Sequence, residues 1–362
     1  MKIAIVGAGN AGCALAFKLA ENGHSISLIK TSNTLHEENF IKIQEQGGIW
    51  AIDHTNGEKQ SFQKIEKITR DISHGLEGAE VIIVLTQSLQ HASIAKLISP
   101  YISLSVKMLL VIPGNLGSVI FKNKLKNVDL FIAEGESTPF DARIIKPGVV
   151  NILFKNVRNK LGFIPSYTGI EGIKLANEIL DTYTGTRTNV IESALHNPNL
   201  IVHTVGVIMS TARIEFTKGE FWMYREAFTE SIWNLVEALD EEKNKVIEKY
   251  GGIPSPYLDE CKYRNEIDLT KNSLEVFRAY ANKGGPKGPS TIHSRYLYED
   301  VPNGLCLLKY LAQKANIHTP ICNSLITIAS CLVKKDFDAI GKNRFIEIGW
   351  ENLTLEQILK II

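Results

Sequence analysis

The first half of the chain alternates short apolar runs with segments of helical spacing. The apolar runs occupy residues 2–6, 25–29, 79–86, 106–112, 129–133, 151–157 and 160–164. Apolar residues recur at helical spacing within 13–22, 92–98 and 171–182. Because strands that alternate with helices form a parallel sheet covered on both faces, this half is predicted to be an α/β domain.

After about residue 190 the strand-like runs disappear and the pattern becomes helical. Helices are predicted over 197–209, 220–250, 269–282, 304–315 and 320–334, with a last one beginning near residue 354. Asn197 and Pro198 form an N-cap followed by proline, and Thr354 with Gln357 forms a capping-box pattern. The polar connection 283–289 has two interpretations, a lid over a cleft or a plain long loop.

The first apolar run leads into a glycine-rich turn, Gly7-Ala8-Gly9-Asn10-Ala11-Gly12, and then into the first helix. Strand, G-x-G-x-x-G and helix in this order are the context of a dinucleotide-binding turn. Gly7 permits the tight turn, Gly9 lets the backbone approach a pyrophosphate, and Gly12 lets the helix pack on the strand. The helix N-terminus, with Asn10 and Ala11, then faces the phosphates. The alternative is a glycine turn without a ligand.

The second apolar run ends in Lys30-Thr31-Ser32-Asn33, where a dinucleotide-binding domain contacts the adenosine ribose. NAD-specific sites usually place an acidic residue there, and this strand end has none. A carboxylate would repel a 2′-phosphate, whereas the ammonium of Lys30 and the hydroxyls of Thr31 and Ser32 can bind one. This pattern favours NADP as the cofactor. The alternative is a solvated strand end in an NAD enzyme.

Two further turns are expected at the carboxyl edge of the predicted sheet. Asn115 belongs to a glycine turn after the run 106–112, and it is predicted to lie beside the nicotinamide unless this is a plain β–α turn. Glu134 and Glu136 follow the run 129–133, where acidic side chains can line a substrate pocket. We predict that Glu134 binds the substrate, with a simple polar loop as the alternative.

Composition and charge narrow the class of partner. The 362 residues carry 40 Lys plus Arg against 39 Asp plus Glu, a formal net charge of +1, which argues against a dedicated nucleic-acid binder. Five scattered cysteines are typical of reduced thiols in a cytoplasmic protein, and their spacing predicts no metal site. No apolar run is long enough to span a membrane, and the run after Met1 is too short for an export signal. Small molecules are the expected partners. The oligomeric state, for which a homodimer is one option, is not readable.

These patterns predict an α/β fold class, with a Rossmann-type dinucleotide-binding domain over residues 1–185 and an all-helical substrate and catalytic domain over residues 186–362. A reductase of this layout needs a proton-transfer group and a cation for the substrate carboxylate. His203 lies in an apolar helical segment, either as a catalytic histidine or as a buried one bonded to a backbone carbonyl. Arg295 can grip a carboxylate and Asp300 can orient a histidine, but a surface ion pair between them is the simpler interpretation.

Three stretches of the sequence resemble the opine dehydrogenase family, which includes octopine, nopaline and related N-(carboxyalkyl)amino acid dehydrogenases. They are the glycine turn at 7–12, the helix start at 197–203, and residues 295–305, Arg-Tyr-Leu-Tyr-Glu-Asp-Val-Pro-Asn-Gly-Leu. The resemblance implies NAD(P)H-dependent reductive condensation of an α-keto acid, typically pyruvate, with the amino group of an amino acid. It also implies that His203 is the general acid/base, Asp300 its partner and Arg295 the carboxylate-binding residue.

Two other functions stay open at this point. Relatives of ketopantoate reductase or glycerol-3-phosphate dehydrogenase would share the domain order but use a lysine as proton donor, and Lys174 and Lys218 stand in polar stretches. A non-catalytic NAD(P)-binding redox sensor would need no set of His, Asp and Arg. Which amino acid and keto acid react, and in which physiological direction, is not readable from the sequence.

Overall fold

The computed structural model describes residues 1–55, 57–125, 129–283, 285 and 287–362. It divides into two compact units, Met1–Thr186 and Arg187–Ile362. Two positions of the polar connection 283–289, residues 284 and 286, lie outside the described residues.

The first unit contains two β-sheets and the helices that cover them. Its strands are β1 Lys2–Val6, β2 Ser25–Ile29, β3 Gly48–Asp53, β4 Lys59–Lys64, β5 Lys67–Thr69, β6 Val81–Val84, β7 Met108–Val111, β8 Phe131–Gly135, β9 Phe140–Lys146, β10 Val149–Lys155, β11 Asn159–Phe163 and β12 Tyr183–Thr186. Its helices are α1 Asn10–Glu21, α2 Glu37–Gln46, α3 Ile72–Leu76, α4 His91–Ile98, α5 Gly117–Lys124 and α6 Gly169–Ile179.

Eight strands form the larger sheet, in the order β12-β11-β8-β7-β6-β1-β2-β5. All neighbouring pairs are parallel except β11, which runs antiparallel to β8. The central strands β6 and β7 are buried along their whole length, as the continuous apolar runs predict. The chain order reverses between β1 and β6, and a ligand of such a sheet binds outside the carboxyl ends of the strands at this point.

Four strands form a second sheet, in the order β4-β3-β10-β9, which the sequence analysis missed. The run 151–157 was expected to belong to the main sheet, but β10 pairs with β3 and β9 instead. Phe17 of α1 lies in one buried apolar cluster with Ile5 of the large sheet and Ile152 of the small one. The helix therefore packs on both sheets. Strand β4, with the sequence Lys-Gln-Ser-Phe-Gln-Lys, has too little apolar patterning to predict a strand.

The second unit is helical. Its helices are α7 Val190–Leu195, α8 Asn199–Ile208, α9 Thr211–Phe216, α10 Met223–Glu226, α11 Glu230–Lys249, α12 Tyr257–Asn265, α13 Ser273–Lys283, α14 Arg295–Tyr298, α15 Cys306–Lys314, α16 Pro320–Val333, α17 Phe337–Ile348 and α18 Leu355–Ile361. A five-residue π-helical turn, Val301–Leu305, precedes α15. The predicted helix 220–250 is divided into α10 and α11, whereas the capping box of Thr354 and Gln357 is confirmed. Among the residues described, no helix is both long and apolar enough to cross a membrane.

Candidate active site

The glycine turn after β1 has the geometry of a phosphate cradle. Gly7 has a φ of 124°, and a Cβ there would lie 2.5 Å from the carbonyl oxygen of Leu85. A Cβ on Gly12 would lie 1.8 Å from the carbonyl oxygen of Gly7, so packing alone requires both glycines. Gly9 differs, because its nearest neighbour in the described structure would be Cδ2 of His36 at 3.8 Å. Protein packing thus does not require a glycine at position 9, at the N-terminus of α1, where close approach of a pyrophosphate to the backbone would require one.

The residues between the glycines contribute differently from one another. The side-chain oxygen of Asn10 accepts a hydrogen bond from the amide of Ile144 at 2.8 Å, so it ties the turn to β9. This contact uses the side-chain oxygen and leaves the Nδ2 and backbone N–H of Asn10 as groups that can donate to a phosphate, whereas Ala11 has only its backbone N–H. Both stand in the first turn of α1, where backbone amides lack partners within the helix.

Lys30, which was expected to bind a 2′-phosphate, has protein partners in the structure. The side chain is buried, with 4% of the residue exposed, and its ammonium donates to the carbonyl oxygen of Leu35. Burial lowers the pKa of Lys30, and the carboxylate of Glu37, 3.9 Å away, opposes this effect. The hydroxyl of Ser32 accepts hydrogen bonds from the amides of Thr34 and Leu35, both at 3.2 Å. Lys30 and Ser32 thus shape the loop after β2, and Thr31 is half-buried beside them.

Sequence reasoning missed a second cation at the same place. Arg70, which follows β5, donates to the carbonyl oxygen of Ser32 at 2.9 Å and to the side chain of Asn33 at 3.0 Å. It also pairs with Glu37 at 2.5 Å and lies 5.0 Å from the ring of Phe40. Because β5 pairs with β2 in parallel, the two strand ends meet at one edge of the sheet. The sequence did not predict that Arg70 lies at this strand end, because β5 is only three residues long and its apolar pattern is too short to indicate a strand.

The structure gives Asn115 and Glu134 partners within the first unit. The amide of Asn115 is buried and donates to the hydroxyl of Ser88 at 2.9 Å. Glu134 is 0% exposed, and its carboxylate accepts from the amides of Leu116 at 3.1 Å and Ser118 at 3.2 Å. These bonds place the carboxylate at the N-terminus of α5, where a negative charge is stabilised. The expected substrate contact of Glu134 is therefore replaced by a helix-capping role, and Glu136 is also buried.

The second unit brings together His203 and Asp300, which are 97 positions apart in sequence. Nδ1 of the imidazole lies 2.7 Å from Oδ2 of Asp300, and the two residues are 8% and 4% exposed. His203 stands in the middle of the almost fully buried helix α8, and Asp300 immediately precedes the π-helical turn. This contact leaves Nε2 as the nitrogen through which the imidazole can exchange a proton with a substrate.

Arg295 begins α14 and does not pair with Asp300 in a surface ion pair. Its Nε lies 3.3 Å from Oε2 of Glu299, one helical turn further on, and its side chain is 51% exposed. Glu299 is buried, and its contact with Nε is made by one of the three guanidinium nitrogens, so the other two can bind a ligand. A partly exposed, oriented guanidinium is the side chain expected to bind a carboxylate in two places.

A buried ionic cluster in the second unit was not predicted. Arg187 pairs with Glu260 and, at 3.3 Å, with Glu192. Burial would raise the pKa of Glu260, but the Arg187 guanidinium outweighs it and holds that pKa well below its usual range. Burial, reinforced by Lys243 and Arg187, holds the pKa of His196 well below its usual value. Removal of one member of the cluster would leave an uncompensated buried charge, which is costly.

One more buried base bears on the chemistry. Lys243 lies in α11 and is buried, unlike Lys174 and Lys218, the lysines considered from the sequence. Its ammonium contacts Oδ1 of Asp240 at 2.5 Å and the carbonyl oxygen of Ser255 at 3.3 Å. Within the ranges that the structure describes, no group of three or more His, Cys, Asp and Glu side chains is arranged to hold a metal ion.

Comparisons with known proteins assign the two halves of the chain to two family models. Residues 186–333 match the model described as NAD/NADP octopine/nopaline dehydrogenase, alpha-helical domain. Residues 3–118 match the model of ketopantoate reductase PanE/ApbA. The predicted fold class, an N-terminal Rossmann-type domain followed by a helical domain, is confirmed.

Individual proteins match over almost the whole chain. An opine dehydrogenase of Arthrobacter sp. (strain 1C) is 26% identical over 361 residues, which cover 97% of this chain and 96% of that protein. The structure of octopine dehydrogenase in complex with NADH and agmatine has a TM-score of 0.77 at 17% identity and covers 99% of this chain and 98% of its own. Yersinopine dehydrogenase with bound NADP+ has a TM-score of 0.75 at 13% identity and covers 99% of both chains.

Proposed function

We propose that this chain, which belongs to the opine dehydrogenase family and is an NAD(P)-dependent dehydrogenase acting on CH–NH bonds, joins an α-keto acid to the amino group of an L-amino acid. The observation that carries the proposal is the buried contact between His203 and Asp300 at 2.7 Å, in the helical unit that also presents Arg295. A redox sensor without catalysis would need none of these three side chains.

The proposed reaction assigns one role to each side chain. His203 removes a proton from the substrate ammonium, so that the amine can attack the keto carbon, and then protonates the carbinolamine oxygen, which leaves as water. Asp300 holds the imidazole through Nδ1 and stabilises its protonated form. Arg295 binds the carboxylate of the keto acid. A bound reduced nicotinamide would supply the hydride that reduces the protonated imine, left by the loss of water, to a secondary amine.

Pyruvate is the proposed keto acid, and the amine is an L-amino acid. Structures of octopine dehydrogenase with NADH and either L-arginine or pyruvate support this pair of substrate classes. The side chain of the amino acid is left open, because the carboxylate of Glu134, which was expected to bind the substrate, accepts hydrogen bonds at the start of α5.

For the cofactor, we propose a preference for NADPH that depends on Arg70. Lys30 is occupied by the carbonyl of Leu35, but Arg70 keeps a positive charge at the joint end of β2 and β5. A 2′-phosphate would compete with Glu37 for this guanidinium, because both are anions that can bind it in two places. NAD is the alternative, with Glu37 accepting the ribose hydroxyls.

The decisive experiment is a panel of amino acids with pyruvate, assayed with NADPH and with NADH. Turnover with at least one amino acid is expected, and His203→Ala should abolish it while cofactor binding survives. Ketopantoate belongs in the panel, because residues 3–118 match the ketopantoate reductase model. Reduction of ketopantoate without any amino acid-dependent turnover would reject the proposal, and full activity of His203→Ala would reject the role of the histidine.

A further inference from the structure

We infer that Tyr296 is a positioning residue that fixes the plane of the His203 imidazole. Its ring lies flat against the imidazole, with the two centroids 3.7 Å apart and the planes 15° from parallel. The inference rests on the proposed function, because it assigns Tyr296 an effect on the group that transfers protons. It adds a residue that acts through His203 and does not itself exchange the proton.

Tyr296 and Asp300 hold the imidazole from two directions. Tyr296 lies in α14 and Asp300 two positions after its end, directly before the π-helical turn, and both side chains contact the imidazole. Asp300 binds Nδ1 in the plane of the ring, and Tyr296 covers one face of the ring. A single hydrogen bond would leave the ring some freedom to turn about its Cβ–Cγ bond. The flat contact with Tyr296 prevents this rotation and keeps Nε2 pointing in one direction.

The geometry of the contact suits a ring that carries a proton for part of the reaction. Two neutral aromatic rings prefer offset or edge-on arrangements, with centroids roughly 4.5–7 Å apart. A close, nearly parallel pair is more favourable when one ring is positively charged, since the face of the phenol ring is electron-rich. The pairing of His203 with Tyr296 therefore keeps the ring in one orientation in both of the forms that proton transfer requires.

Neighbouring aromatic residues offer a matched control. Tyr298 is two positions further along α14, but its hydroxyl lies 2.9 Å from Nδ1 of His293 and its ring packs edge-on against Phe337. Loss of the Tyr298 ring removes a similar apolar volume from the same helix without touching the imidazole. A comparison of variants at the two tyrosines therefore distinguishes an effect on the orientation of His203 from an effect on the packing of α14.

The test compares Tyr296→Phe, Tyr296→Leu and Tyr298→Leu in the full chain. Tyr296→Leu should lower kcat about tenfold to a hundredfold, as expected for a misdirected catalytic group, with cofactor Kd and Tm close to those of the wild type. Tyr296→Phe keeps the flat contact and should restore kcat to within about threefold of the wild type. Tyr298→Leu should leave kcat unchanged. A Tyr296→Leu enzyme with the wild-type kcat, or a Tyr296→Phe enzyme as slow as Tyr296→Leu, would overturn the inference.

A measurement that needs no turnover distinguishes failure of this inference from failure of the proposed function. The ring-proton NMR signals of His203, assigned by their loss in His203→Gln, should move downfield in Tyr296→Leu because the shielding by the stacked ring is removed. They should stay in place in Tyr296→Phe. Unmoved signals in Tyr296→Leu would show that the contact is absent in solution, whatever the substrate is. If Tyr296→Leu does not fold, Tyr296→Met takes its place. The kcat and the ring-proton signals of His203 are then measured in that variant, and the same results are expected.

Discussion

The replacement Asp300→Asn tests the centre of the proposed site with little change in shape. The carboxylate is buried, and its Oδ2 lies 2.7 Å from Nδ1 of His203. When His203 holds a proton during the reaction, the contact joins a negative and a positive group. Asparagine offers either an uncharged oxygen or an N–H that pairs with an unprotonated Nδ1, and the latter places the proton on the wrong nitrogen.

The size of the effect follows from this contact. Charge centres about 4 Å apart attract each other by about 4 kcal/mol at an effective dielectric constant of about 20. Since about 1.4 kcal/mol of transition-state stabilisation corresponds to a factor of ten in rate, kcat should fall about a thousandfold. The KM for the cofactor should change little, because Asp300 acts on the imidazole.

The assay follows oxidation of the nicotinamide cofactor with pyruvate and the amino acid identified by the panel. Glu299→Gln is the matched control, because it removes the same charge from the adjacent residue, which contacts Nε of Arg295 at 3.3 Å. This control should raise the KM for the keto acid and leave kcat within about fivefold of the wild type. Retention of kcat in Asp300→Asn within about threefold of the wild type would refute the reasoning.

Three further predictions address other charges. Arg295→Leu should raise the KM for the keto acid tenfold to a hundredfold, the equivalent of about 1.5–3 kcal/mol for a charged hydrogen bond, and an unchanged KM would remove Arg295 from substrate binding. Arg70→Leu should lower kcat/KM for NADPH about tenfold or more and leave kcat/KM for NADH almost unchanged. Lys59→Leu, which removes an exposed cation, is the control. A clear preference of the wild type for NADH would contradict this role of Arg70. Because the pKa of folded His196 lies well below 6.5, the unfolded chain binds its proton more readily. Stability is therefore lost as pH falls below about 6.5, by at most about 1.4 kcal/mol per pH unit, and His196→Gln should flatten this slope in urea unfolding between about pH 7 and 5.

The features that were predicted from the sequence are those that depend on local chain chemistry. The contact that requires Gly12 is with the carbonyl oxygen of Gly7, inside a single strand–turn–helix, so the local glycine spacing was sufficient to locate the turn, although Gly7 itself is required by Leu85 of a distant segment. The capping box at Thr354 is likewise complete within four residues. Helix α16 could be placed because it begins with Pro320 and carries a regular apolar face.

The features that were missed depend on contacts between segments that are distant in the sequence. Lys30 was correctly placed at the end of β2, but the carbonyl of Leu35 that takes its ammonium is positioned by the loop before α2. Arg70 reaches the same strand end only because β5 pairs with β2. At the proposed catalytic centre, spacing alone suggested an ion pair between Arg295 and Asp300. In the structure Arg295 instead contacts Glu299, four positions further on, and Asp300 contacts His203.

The two buried bases of the helical unit differ in a way that bears on the type of reductase. Loss of a proton from Lys243 would leave the carboxylate of Asp240 buried without its cation, which is costly, so this lysine is suited to a permanent ion pair. His203 is in the opposite situation. Its carboxylate partner is satisfied through Nδ1 whether or not Nε2 holds a proton, so the ring can gain and lose a proton without breaking the contact. Proton transfer in this chain is therefore expected to follow the histidine chemistry of imine formation, and a buried lysine does not by itself indicate a ketopantoate reductase mechanism.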